Sequence, residues 1–373
     1  MAKSVSSKSQ ITKSDVARLL TEPSAKTRAE TARKVGSYFA AADLSDTERA
    51  IAGDIFRAMV HDAEVRVRKA LAETIKSSPD LPREVALALA RDVHDVALPV
   101  IQSARVLTDE DLIEIIGSDD EERQKAVARR ATVSEAVSDA LVDTGNEAVV
   151  STLVCNEGAE IAEATFGRVL ERFPDSERVT EGMARRSKLP ITVAERLVTM
   201  VTDSLREHLV ANHDLPAALA TDILMESRER ATVGLLGRGT KRQDMLSLID
   251  QLHRNDRLTP TLIIRALCMG DVPFFEAALA KRAGIPVVNA YQLVHYKDEV
   301  ALPRLFKRAK MPDSLLKLAR IGVAIAEELR RTGGDDRDIF RKLMIERVLT
   351  QLADEMDGDN IDYLIGKLGR RAA

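Results

Sequence analysis

Aromatic residues are scarce: eight Phe, four Tyr and no Trp make up 3% of 373 residues. So few rings exclude the stacking platforms of single-strand nucleic-acid binders and most sugar and nucleobase pockets. Cysteine is almost missing too. Cys155 and Cys268 cannot build a disulfide framework, and with no signal-peptide pattern they point to a reducing cytoplasm. No run of eighteen apolar residues occurs, which excludes a transmembrane helix. Neither sign of charge dominates, since 55 Lys and Arg stand against 59 Asp and Glu for a net −4. A nucleic acid or membrane covering the whole surface is therefore disfavoured. Strand patterns are missing as well, because apolar residues recur at three- and four-residue spacings instead of alternating. What is present is 45% hydrophobic, ample for a core, and the expected class is all-α.

The chain repeats itself. Leu81-Pro82, Leu107-Thr108, Val133-Ser134, Leu189-Pro190, Leu215-Pro216, Thr259-Pro260, Ile285-Pro286 and Met311-Pro312 recur at steps of 26, 26, 56, 26, 44, 26 and 26 residues. Pro is tolerated in a helix's first turn and Ser or Thr caps the same end, so each pair marks a helix start. Seven residues on stand Leu89, Ile115, Leu141, Leu197, Ile223, Leu267 and Leu293; nineteen on stand Ile101, Val127, Leu153, Leu209, Leu235, Leu279 and Leu305. These aliphatic columns predict two buried stripes per unit. Thirteen on stand Asp95, Glu121, Glu147, Asp203, Glu229, Pro273 and Glu299, often preceded by a cap such as Asp120, Asn146, Thr202 or Asp298. That column suits the start of a second helix, where a carboxylate meets the positive end of the dipole.

Each unit thus reads as a hairpin of two short helices that gains stability by stacking on its neighbours, an α-solenoid. Residues 1–13 read as a mobile arm, 14–312 as one continuous HEAT-like solenoid and 313–373 as a helical cap. Where the period slips, Phe173-Pro174-Asp175 predicts a break and residues 243–253 an inserted helix. Ser45 and Glu48 predict a capping box before a helix to Val60. The stretch from His61 to Leu71 resembles the second helix of a HEAT repeat, with Asp62 as cap. Longer helices are expected over 314–331 and 336–356, then a short one over 361–368.

Leu81-Pro82, Ala97-Leu98-Pro99-Val100-Ile101, Asp111-Leu112-Ile113, the run from Val133 to Val142 and Asn156-Glu157-Gly158-Ala159 carry a family likeness. From Leu81 to Phe166 the chain resembles an uncharacterised helical family, mostly alphaproteobacterial, known as domain of unknown function 2336. The resemblance implies a HEAT-like fold in a bacterial cytoplasmic protein. It brings no activity, cofactor or catalytic residue.

Motifs with chemistry are few. The stretch from Gly234 to Lys241 has the glycines of a phosphate-binding loop, but Thr and Lys stand in the wrong order and no strand precedes it, so it reads as a plain loop. Gly333-Gly334-Asp335-Asp336 reads as a helix stop and cap, and Asp357-Gly358-Asp359-Asn360 as a turn. The histidines His61, His94, His208, His213, His253 and His295 show no metal-binding spacing. Cys155 and Cys268 read as small buried hydrophobes. No metal and no cofactor is expected.

One column suggests a surface. Twenty-two residues after each mark stand Ala104, Arg130, Asn156, Asn212, Arg238, Arg282 and Arg308. Arg complements a helix C-terminus and Asn caps it; the same ladder suits an acidic or phosphate-bearing partner. Charge is also segregated, with eight acids and no base from Leu107 to Glu122, and nine bases against three acids from Lys281 to Arg320. Arg304, Lys307, Arg308 and Lys310 make the second stretch a candidate docking site, although a solvated helix face gives the same pattern. The expected function is a non-catalytic protein-interaction scaffold or adaptor. The alternatives are a nucleic-acid binder with a basic face and a receptor for an anionic signalling nucleotide. Oligomeric state and partner identity have no signature.

Overall fold

The computed structural model describes residues 22–41, 44–212, 217–237, 240–296, 300–332 and 336–352. The expected arm, the helix over 361–368, the turn at 357–360, the cap Asp298, the helix-start acid Glu299 and residues 333–335 lie outside them. The chain divides into two compact units, Met1–Lys188 and Leu189–Ala373. Each is all-helical, and the one β-like feature among the described residues is an isolated parallel bridge between Val133 and Ala159.

Unit 1 contains α1 (Ala25–Ala41), α2 (Asp46–Met59), α3 (Val65–Ile75), α4 (Arg83–Ala90), α5 (His94–Ser103), α6 (Asp109–Ile116), α7 (Glu121–Ala128), α8 (Glu135–Asp143), α9 (Glu147–Val154), α10 (Glu163–Arg172) and α11 (Glu177–Ala184). Their starts follow the marks. Thr108 and Ser134 cap α6 and α8, accepting the amides of Asp111 and Val137. Asp120 and Asn146 cap the second helices α7 and α9, and Ser45 and Glu48 close their capping box on α2. One expectation fails: the helix predicted from His61 starts only at Val65, with no side-chain cap. Asp62 is held instead by Arg28 at 2.7 and 3.0 Å, and that guanidinium keeps its carboxyl below the usual carboxylate range.

These helices are too short to persist alone, and they stack in order. The row α1, α3, α5, α7, α9 and α11 packs each member on the next, while α6, α8 and α10 form the other row. Between the rows lie Val67, Leu71, Leu89, Ile101, Val127, Leu141 and Leu153, all fully shielded. Each such side chain contributes roughly 1.5–3 kcal/mol by leaving water. The 26-residue period is also a period of bonding between neighbouring hairpins. Lys69 reaches Asp95 at 2.9 Å, His94 reaches Asp120 at 2.6 Å, and the Thr165 hydroxyl donates to Asp139.

Unit 2 contains α12 (Ile191–Asn212), α13 (Ala217–Leu235), α14 (Arg242–Arg254), α15 (Pro260–Cys268), α16 (Val272–Ala283), α17 (Val287–His295), α18 (Ala301–Arg308), a 3-10 turn at Asp313–Leu315, α19 (Leu316–Thr332) and α20 (Arg337–Leu352). The two hairpins predicted after Pro190 and Pro216 are single long helices, α12 and α13. Between residues 191 and 212 there is no Gly or Pro to stop the first, and in α13 the only glycine is Gly234, at its end. Thr202, expected as a cap, donates to the Val198 carbonyl at 2.6 Å inside the helix. Glu229, expected at a helix start, is a buried mid-helix acid that accepts from the Thr259 and Thr261 hydroxyls at 2.5 and 2.6 Å.

The inserted helix is α14, tied to α12 through Glu195, which accepts from Gln251 at 2.7 Å and Arg257 at 3.2 Å. Hairpin order resumes with α15 and α16, then α17 and α18. Long C-terminal helices follow, the first starting at Leu316 after the 3-10 turn and the second described to Leu352, with 353–356 of its expected span outside the described residues; α19 packs on α15 and α20 on α19. Four of the eight phenylalanines, Phe274, Phe275, Phe306 and Phe340, lie buried in this unit's core.

Candidate functional site

The ladder column closes helix ends. The Arg130 side chain, only 8% exposed with its residue, donates from Nη1 to the Ile101 carbonyl and from Nη2 to that of Ala104 at 2.8 Å. Asn156 Nδ2 donates in turn to the carbonyls of Ala128 and Arg130 at 2.8 and 2.7 Å. Arg186, outside the column, continues the series to the carbonyls of Asn156 and Ala159 at 2.7 and 2.6 Å. Each step satisfies carbonyls that the preceding second helix leaves unpaired at its C-terminus, with positive charge at the negative end of the dipole where the donor is Arg.

In unit 2 Arg282 donates to Leu258 and Ala309 at 2.6 and 2.8 Å, and Arg308 returns to Ala283 at 2.8 Å. Burial lowers the pKa of Arg130, Arg186 and Arg282 from the ordinary value, yet a guanidinium remains a cation at neutral pH. Arg304, Lys307, Arg308 and Lys310 are exposed around the end of α18. Arg238 and the Asn212 side chain lie outside the described residues.

What the fold gathers instead is a cavity of about 660 Å³ in unit 2. One wall is the start of α14 (Arg242, Met245, Leu246), another the start of α16 (Asp271, Val272, Pro273, Glu276, Ala277), and a third the outer face of α17 (Val287, Val288, Tyr291). Arg330 of α19, Arg337 of α20 and the loop residues Leu236, Gly237 and Thr240 complete it. The loop that shares its glycines with a phosphate motif therefore borders the cavity through Gly237 and Thr240.

The wall carboxylates are engaged. Arg337 donates from Nη2 to Asp271 and from Nη1 to the Leu236 carbonyl at 2.6 Å. Burial pushes the Asp271 carboxyl up to about 7, against the opposing pull of Arg337. Glu276 meets His295 Nε2 at 2.6 Å, while Glu327 lies 3.4 Å from Nδ1. Because the two carboxylates approach opposite ring nitrogens, they bridge α16, α17 and α19 rather than form a chelate. Arg330 lies with its guanidinium carbon 5.7 Å from the Tyr291 ring centre and donates to the Tyr291 hydroxyl at 2.9 Å, a cation–π contact. Among the described residues no cluster of His, Cys, Asp and Glu is arranged to hold a metal ion.

Asp271 makes stability depend on pH in a defined sense. Its folded pKa is raised above the ordinary 3.8, so the native state holds its proton to higher pH than the unfolded chain does. Stability from this group is greatest at low pH, falls between about pH 4 and 7, and is flat above. Against an Asp271→Asn variant, wild type should lose up to about 1.4 kcal/mol per pH unit across that window. Denaturant melts at successive pH values read this, and parallel curves for the two proteins would contradict it.

The cysteines part company. Cys268 is buried and its thiol is pushed up to about 12, so it stays protonated. Cys155, expected to be buried, is exposed. It follows the last turn of α9 as the C-cap residue, beyond that helix's buried stripe.

Fold and cavity together define an α-solenoid of stacked helical hairpins with an open, charged cavity in its second unit. A bacterial family described as an uncharacterised conserved protein, domain of unknown function 2336, matches residues 96–356, and the chain belongs to it. The match runs well past Phe166 and takes in every residue of the cavity wall. No curated protein and no solved structure matches the chain. Among the described residues no helix is long and apolar enough to cross a membrane.

Proposed function

We propose that the protein is a non-catalytic interaction scaffold or adaptor of the bacterial cytoplasm, and that unit 2 carries the partner-binding surface. The observation that supports this most is the outer face of α17. Val288 is 63% exposed and Tyr291 40%, they stand one helical turn apart, and both border a cavity rimmed by Arg242, Arg330 and Arg337. Tyr and Arg are the residue types enriched at interface hot spots, and an exposed aliphatic beside them adds apolar surface for a partner to cover. A solenoid scaffold suits such a role, since stacked short helices present an extended surface.

Affinity capture from the native cytoplasm, with wild type and a Val288→Glu variant as parallel baits, tests the reading. A protein retained near stoichiometry by wild type and lost from the variant is expected. Identical retention by both baits, or no stoichiometric partner, counts against it.

A further inference from the structure

We propose that the cavity of unit 2 takes an acidic peptide segment of a protein partner, inserting a large apolar side chain against α17 and pairing flanking carboxylates with Arg242 and Arg330. This rests on the adaptor reading above and names the chemistry of its partner. Two features of the wall lead to it.

The first is charge complementarity. Five charged residues line the cavity: Arg242, Asp271, Glu276, Arg330 and Arg337. Asp271 is taken up by Arg337 and Glu276 by His295. Both wall acids are thus engaged, Asp271 by a lining arginine and Glu276 by a histidine beside the lining, while Arg242 and Arg330 are exposed and the three lining arginines outnumber the two lining acids. A guanidinium suits a carboxylate in geometry as well as charge. Arg330 is also held in place: its contact with the Tyr291 ring and hydroxyl reduces the side-chain freedom lost on binding.

The second is the apolar surface that lines the same cavity. Leu236, Met245, Leu246, Ala277, Val287 and Val288 contribute to the lining, and Val288 offers most of its surface to solvent. A volume of about 660 Å³ falls within the range of about 300–1,000 Å³ found for binding pockets. A basic segment would meet like charge at both rim arginines, and a purely polar one would leave the aliphatic wall wet.

Selection from a display library of short random peptides tests this, with the full chain as bait and an Arg242→Glu, Val288→Glu double variant for counter-selection. The expected survivors carry Asp or Glu beside Leu, Phe or Met. They should lose at least about tenfold in affinity (about 1.4 kcal/mol) on either single substitution, and bind more weakly as salt rises. Melting temperatures equal to wild type show that both variants fold. Basic or uncharged survivors, survivors indifferent to both substitutions, or no survivors overturn the proposal. If a native partner is still captured in a Val288-dependent way, only the partner's chemistry was wrong; if none is, the adaptor reading fails with it.

Discussion

A Gly158→Ala substitution is expected to cost unit 1 about 3 kcal/mol or more, lowering its melting temperature by roughly 10 °C. In open space the change from glycine to alanine stabilises by about 0.4–1 kcal/mol through the unfolded chain. Here a Cβ on residue 158 would lie 2.0 Å from the Ala131 carbonyl oxygen and 3.0 Å from its carbon. The obstacle is backbone, and that backbone is pinned on both sides. Val133 N donates to the Gly158 carbonyl at 3.3 Å, Glu160 N donates to Val133 at 2.8 Å, and the Asn156 side chain accepts from Gly158 N at 2.9 Å. Relief means breaking the bridge that joins the loop after α9 to the loop before α8. Gly237→Ala is the matched control, since nothing lies within 4 Å of a Cβ there, and its effect should stay within about 0.5 kcal/mol. If Gly158→Ala melts with the control, the two loops are not interlocked as described.

The second large effect is at Arg130. Arg130→Ala should cost about 2–4 kcal/mol, because the carbonyls of Ile101 and Ala104 lose their donors inside the stack and the stem leaves a void. Arg130→Met separates the two causes. It restores most of the packing volume and none of the hydrogen bonds, so it should recover only part of the loss. The equivalent change at Arg304, which is exposed on α18, should stay within about 0.5 kcal/mol. Denaturant midpoints of the three variants read the comparison. Full stability in Arg130→Met would mean that the carbonyls do not need the guanidinium.

The hairpins were legible because a solenoid writes one local arrangement repeatedly along the chain. Thr108 and Ser134 cap helices at their marks and Thr259 caps the helix that Pro260 opens, and the aliphatic columns at Leu89, Leu141, Leu267, Ile101, Val127 and Leu153 are all buried. Acids in register do not end a helix when no breaker stands beside them. Asp203 and Glu229 sit in register, but a helix continues through an acid unless Gly, Pro or a competing cap interrupts it, and α12 and α13 run on.

The ladder shows a different limit. Its period was visible, but a period cannot say whether a guanidinium points outward to a ligand or inward to a carbonyl. Arg130 and Arg282 reach inward, and Asn156 does the same with its amide. The cavity was illegible for the opposite reason. Its wall joins Leu236, Arg242, Asp271, Tyr291, Arg330 and Arg337, which belong to a loop and five helices and share no register. Asp271 stood in the sequence only as the residue two before a proline. Its partner Arg337 lies 66 positions away, and no repeat of 26 brings the two together.

The most direct test of the partner-binding surface is photo-cross-linking in the native cell from a probe residue placed at position 288. The control probe sits at position 66, an exposed site on α3 of unit 1. One dominant protein adduct is expected from position 288, weakened when Arg242 is changed to Glu, with no matching adduct from position 66. Adducts of equal yield from both positions, or an adduct at 288 that ignores Arg242, would contradict the proposed surface.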